Sequence, residues 1–133
     1  TCSPDPKKYD SPLLFKHGPD VYMIARRQVA NDGLFDLGYD DMSFTERAQA
    51  YQLEYWSTPK RCALWRVDAP TRSVTFVMDL PSNGDTCFAS LVRLSEQHDL
   101  IYNYSSPLDD PELSWRDGQL GETSIYRTTL SLP

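Results

Sequence analysis

Two stretches of this 133-residue chain follow one pattern at a fixed distance. Ser11-Pro12-Leu13-Leu14-Phe15-Lys16-His17-Gly18-Pro19-Asp20-Val21-Tyr22 aligns without a gap on Ser90-Leu91-Val92-Arg93-Leu94-Ser95-Glu96-Gln97-His98-Asp99-Leu100-Ile101, since 90 − 11 = 79 and 99 − 20 = 79. Each copy reads as a strand, a turn ending in Asp and a second strand. A third element recurs in type, Ala63-Leu64-Trp65-Arg66 against Ser124-Ile125-Tyr126-Arg127, after a longer intervening segment in the first copy. A hairpin, a connection and a further strand, written twice, is the construction of propeller blades. A chance likeness of two ordinary hairpins is the simpler alternative.

Apolar–polar alternation and β-branched or aromatic residues predict strands at about 11–16, 20–27, 61–67, 73–79, 88–94, 99–105 and 123–131. Lys16-His17-Gly18-Pro19-Asp20, Asp68-Ala69-Pro70-Thr71 and Ser95-Glu96-Gln97-His98 separate strand runs by hairpin-length gaps. One helix is predicted near 43–56, where Ser43 and Glu46 form a capping box, Phe44, Ala48, Tyr51 and Tyr55 recur on one face, and Pro59 lies beyond the end. That stripe is expected to pack on the sheet. The expected fold is all-β, with about two antiparallel β-propeller blades in a single unit over 1–133: a blade at 9–80 with an insertion at 28–60, and a blade at 84–133. A propeller closes only with about four or more blades. The chain is therefore expected to need the remaining blades of a parent polypeptide, or to self-associate. A compact sandwich of seven strands is the alternative architecture.

With 40% apolar and 12% aromatic residues the chain can build a core. Its 13 Lys+Arg against 19 Asp+Glu leave a net charge of −6, which repels polyanions, so no nucleic-acid partner is expected. Apolar runs such as Tyr22-Met23-Ile24-Ala25 fall far short of the roughly 18 residues that span a bilayer, and no membrane crossing is expected. Thr1-Cys2-Ser3-Pro4-Asp5-Pro6-Lys7-Lys8 lacks the basic-then-apolar profile of a signal peptide, and localisation stays open.

Cys2, Cys62 and Cys87 cannot all pair within one chain. A Cys62–Cys87 bridge is open to it, but the preferred reading is small buried residues in strands. No Cys-x-x-Cys or His-x-x-x-His spacing suggests zinc, and Asp32, Asp36, Asp40 and Asp41 fit no regular calcium loop, so neither a metal nor a cofactor is expected. Asn103-Tyr104-Ser105 is formally a glycosylation sequon, but inside a predicted strand it reads as accidental.

In a blade, the residues just before the first strand and just after the second face each other at the mouth of the central cavity. The first copy puts Asp10 before its inner strand and Arg26-Arg27 at the end of the returning one. The second puts Asp85 before its inner strand and Tyr104-Ser105-Ser106 at the return. Two carboxylates would then converge with guanidinium groups nearby. Such a pair suits glycoside hydrolysis, in which one carboxyl protonates the leaving oxygen and the other acts as base or nucleophile. The arginines could instead clamp a substrate carboxylate. The plainer readings are turn capping for the aspartates and solvent-facing ion pairs for the arginines. Trp65 reads as core, whereas Trp115, after Asp109-Asp110-Pro111-Glu112, reads as an exposed aromatic platform. The insertion should lie over the same face as a rim or lid.

Tyr9-Asp10-Ser11-Pro12-Leu13-Leu14-Phe15-Lys16 through Asp20-Val21-Tyr22-Met23-Ile24-Ala25-Arg26-Arg27 resembles the inner hairpin of sialidase-like and five-bladed-propeller glycosidases. Gly84-Asp85-Thr86-Cys87-Phe88, Tyr102-Asn103-Tyr104-Ser105-Ser106-Pro107, Ser114-Trp115 and Gly118-Gln119-Leu120-Gly121-Glu122-Thr123-Ser124-Ile125-Tyr126-Arg127 resemble the closing blade of uncharacterised bacterial members. The chain carries no Ser-x-Asp-x-Gly-x-x-Trp box, and neither the three-arginine cluster nor the tyrosine nucleophile of sialidases can be placed on it. The resemblance implies a sugar-facing cavity: a glycoside hydrolase-like chain that acts on or binds a glycan, with Asp10 and Asp85 as catalytic candidates and Arg26, Arg27, Tyr104 and Trp115 as substrate-binding candidates. A non-catalytic carbohydrate- or protein-interaction module, or a structural fragment of a larger propeller, is the alternative.

Overall fold

Alternation along the strands sorts their side chains onto two faces, and both faces are used. The computed structural model describes residues 5–132, so Cys2 lies outside the described residues. Strands β1 (Asp10–His17), β2 (Asp20–Gln28), β3 (Lys60–Asp68) and β4 (Ser73–Asp79) form an antiparallel meander in that order. A second antiparallel sheet follows, β5 (Ser90–Arg93), β6 (His98–Ser105) and β7 (Ser124–Ser131). The chain is thus mostly β, seven strands in two antiparallel sheets, with one main helix, α1 (Phe44–Ser57), and a short α2 (Trp115–Gln119). Among the described residues no helix is long and apolar enough to cross a membrane.

The core forms between the sheets. Tyr22, Ile24 and Leu64 from the first meet Ile101 and Leu130 from the second, with Leu13, Phe15 and Leu91 at the margin. On the far face of the first sheet Met23, Ala25, Ala63 and Trp65 make a second cluster closed by Tyr9, Val67 and Val74. Both sets follow the period of two along β2 and β3.

The gapless repeat does not survive in the pairing. Leu13 faces Ile24 across β1 and β2, whereas Val92, its counterpart 79 positions on, faces Leu100, the counterpart of Val21. The second strands correspond at that offset, but the first is displaced by three residues. The physical reason is the turn: His17 pairs directly with Asp20, whereas in the second hairpin the inner pair is Leu94 and His98 around a longer loop. Leu13 accordingly packs on the inter-sheet core while Val92 is half exposed.

Cys62 and Cys87 are bonded to each other, with Cα atoms 5.0 Å apart and both residues fully buried. The preferred expectation of two unlinked cysteines is thereby corrected. The connection after β4 stays at the start of β3, where the Cys62 N–H donates to Ser82 Oγ at 2.8 Å and the bridge itself holds Cys87, and no composition or spacing signals that return.

The α1 capping box forms as expected: Ser43 Oγ accepts from the Glu46 N–H and Glu46 Oε2 accepts from the Ser43 N–H. Its tyrosine stripe packs differently. Tyr51 and Tyr55 are buried, edge-on to Phe35 of the insertion, and Tyr55 also lies against Trp115 of α2. Phe44, expected to share that packing, is 80% exposed.

Candidate functional site

Arg26 and Asp10 are brought together by register. They are direct partners in the β1–β2 ladder, so their side chains leave the same face. Parity puts Arg26 on the face of Tyr22 and Ile24, toward the second sheet, and Arg27 on the other. The Arg26 guanidinium, in a residue only 7% exposed, lies 3.6 Å from Asp10 Oδ2 and 3.5 Å from Asp85 Oδ1, and donates to the Thr86 carbonyl at 3.2 Å. Both carboxylates face one planar fork, which bounds the separation of the two contacting oxygens at about 10 Å.

Asp85 is held by an irregular but densely bonded connection. Its N–H donates to Ser106 Oγ at 3.1 Å and its carbonyl accepts from the Ser106 N–H at 3.0 Å. The Asn83 amide donates to the carbonyls of Pro107 and Pro111, which ties the loop before α2 to the same place. The Asp85 carboxylate then collects, on Oδ1 alone, the Tyr104 hydroxyl at 2.8 Å and the Trp115 indole N–H at 2.9 Å.

The Asp10 carboxylate is gripped in the same one-sided way. Oδ2 accepts from the Tyr55 hydroxyl and faces Lys8 Nζ at 3.6 Å and Arg26. Among the described residues Asp10 Oδ1 and Asp85 Oδ2 accept no hydrogen bond. Each carboxylate thus has one oxygen fixed and one available. Aromatic groups close the cluster: Trp115 lies under Arg26 at 5.1 Å and its ring is 5.9 Å from that of Tyr55.

Burial sets the electrostatics. It pushes the Tyr55 phenol well above its ordinary value, opposed by the Arg26 charge, and with the hydrogen bond to Asp85 it pushes Tyr104 up to about 12. Lys60, wholly buried behind Tyr55, donates to the carbonyls of Tyr55 and Thr58 and to Thr58 Oγ1, with Nζ 4.1 Å from the Tyr55 ring. Burial, then the Arg26 charge, lowers its pKa to about 7.

Of the sequence candidates, the structure gathers Asp10, Asp85, Arg26, Tyr104 and Trp115 into one cluster. Arg27 is not in it. On the opposite face it is held by both oxygens of Asp79, at 2.7 and 2.6 Å, and lies over Phe76. Trp115 is not the exposed loop platform expected but the first residue of α2, part-buried and bonded to Asp85. Asn103 of the sequon is buried and bonded to the Cys87 N–H and to Thr86 Oγ1. Sequence reasoning missed Tyr55, Lys8 and Lys60. Tyr55 was visible only as a member of the helix stripe, and nothing local marks Lys60. Set against family models, characterised proteins and solved structures, the chain finds no match.

Proposed function

We propose that this chain engages a glycan at the Asp10–Arg26–Asp85 cluster, on a propeller scaffold of the sialidase-like and five-bladed glycosidase kind. The observation that carries the reading is the paired carboxylates, one from each half of the chain, each anchored through one oxygen with the other available. Free carboxylate oxygens beside part-buried aromatic rings are what sugar hydroxyls and ring faces require. The charges specify the sugar further. Arg26 already lies between two carboxylates and Arg27 is held by Asp79, so neither is free to clamp an acidic sugar, which favours a neutral ligand. Two successive antiparallel meanders packed through a common core are compatible with neighbouring blades, although the offset repeat that suggested blades fails in the pairing, and they fit the compact sandwich of seven strands equally well. On the blade reading a further sheet, of the same polypeptide or of a second copy, covers the outer face of β5–β7, where Val92, Tyr102 and Ile125 are exposed.

Hydrolysis is the sharper form of the proposal, with Asp10 and Asp85 dividing the acid and base or nucleophile roles. One observation favours a non-catalytic carbohydrate module instead: the Arg26 guanidinium stands between the two carboxylates, where a scissile bond would have to lie. A panel of chromogenic glycosides and a saccharide array, run with wild type, D10N and D85N, separates the two. Binding that both variants weaken supports the glycan reading, and turnover lost in both adds catalysis. Binding that neither variant changes would overturn it.

A further inference from the structure

Beside the cluster runs a groove of about 560 Å³, walled by the segment Asp5–Lys8, by Phe35 and by the first half of α1. We propose that this groove is a second sugar subsite, which takes the next rings of a glycan whose first ring lies at Asp10 and Asp85. It rests on the glycan reading above. Continuity comes from Lys8, which lines the groove while its Nζ lies 3.6 Å from Asp10 and 4.6 Å from the centre of the Phe35 ring. On this proposal a ligand extending from the carboxylates crosses Lys8, whose Nζ also lies 4.1 Å from the centre of the Tyr55 ring, to reach the groove.

The lining chemistry matches a sugar chain. Phe44 presents most of its ring to solvent at the groove wall, although the helix start it occupies is already secured by the Ser43–Glu46 capping box. Its exposure therefore serves no evident folding role, and an exposed ring beside polar neighbours such as Arg47 and Gln52 is a stacking platform with hydrogen-bonding edges. Apolar groups make up most of the lining, with Asp36, Arg47 and Gln52 among its polar members, a mixture that suits the ring face and hydroxyls of a sugar. The floor is preformed: the Tyr51 hydroxyl donates to Asp36 Oδ1 at 2.7 Å and accepts from the Tyr39 N–H at 3.2 Å.

The test is calorimetric titration of wild type, F44A and D85N with xylo-, arabino- and gluco-oligosaccharides of one to six units. Phe44 is exposed, so its truncation leaves folding intact, as circular dichroism checks. Wild-type affinity should rise with chain length. F44A should keep monosaccharide binding but bind the longer chains about three- to tenfold more weakly, while D85N weakens every length alike. If F44A binds all lengths as wild type does, the subsite is refuted and the site at Asp10 and Asp85 stands. If no saccharide binds wild type, both readings fail together.

Discussion

Gly118 of α2 lies so close to Asp85 that a Cβ on it would sit 2.2 Å from the Asp85 backbone nitrogen. Only the absence of a side chain lets α2 approach the connection that presents the Asp85 carboxylate. G118A should therefore lower stability by about 1–3 kcal/mol, the range for forced overpacking, read as a shift in the urea midpoint. It should also alter Trp115 fluorescence, since α2 must move away and carry that indole with it. A variant as stable as wild type would show that the helix does not fix the loop.

Arg26 is the electrostatic hinge of the cluster. R26M removes the one cation that lies between the Asp10 and Asp85 carboxylates and should destabilise by about 2 kcal/mol. That is below the full cost of breaking a buried pair, because both carboxylates keep some contact with water. R26K should recover little of it, since a single ammonium cannot reach both carboxylates as the guanidinium fork does. Denaturation midpoints of the two variants check this, and full recovery in R26K would mean that only charge matters.

The Cys62–Cys87 bond, closing a separation of 25 residues, ties β3 to the connection that carries Asp85. The double variant C62S/C87S, or wild type under a strong reductant, should lose about 2–4 kcal/mol. Because Thr86 and Asp85 adjoin the bridge, weakened saccharide binding should accompany the loss of stability. Unchanged unfolding with and without reductant would remove the bridge from the account.

Lys60 makes stability depend on pH in a definite direction. Its folded pKa is lowered to about 7 from an ordinary 10.5, so between those values the unfolded chain binds a proton that the folded one does not. Stability should rise with pH across that window, by up to about 1.4 kcal/mol per unit, with the full penalty present below pH 7. Tyr104, raised to about 12, acts in the opposite sense above pH 10, so the clean interval is pH 7 to about 9.5. Guanidinium melts over that interval should show the rise in wild type and its disappearance in K60M. An equal slope in K60M would assign the effect to another group.

Most of the secondary structure was legible because its signals are local. The alternation in β2 and β3, the Ser43–Glu46 box and the turn at Gly18-Pro19 each act within a few residues. Asp10 and Asp85 could be proposed as partners because each stands at the entry to a meander, Asp10 as the first residue of β1 and Asp85 ahead of β5. The separation of Arg26 from Arg27 was available from parity alone, since adjacent strand residues leave opposite faces. What the sequence hid are relations between distant segments: the three-residue displacement of the second hairpin, the return that joins Cys62 to Cys87, and α2 closing on Asp85 through Gly118. Tyr55 was misjudged for the same reason. A helix stripe specifies an apolar face, not that one hydroxyl on it reaches the Asp10 carboxylate.

The three indole N–H groups offer the most direct test of the glycan site. Trp115 donates to Asp85, Trp65 is buried on the far face of the first sheet, and Trp56 is part-exposed on α1. In a heteronuclear NMR titration with a neutral oligosaccharide, the Trp115 indole resonance should shift saturably while that of Trp65 stays fixed. A Trp115 signal that does not move at saturating ligand, or a shift confined to Trp65, would contradict a sugar site at Asp10, Arg26 and Asp85.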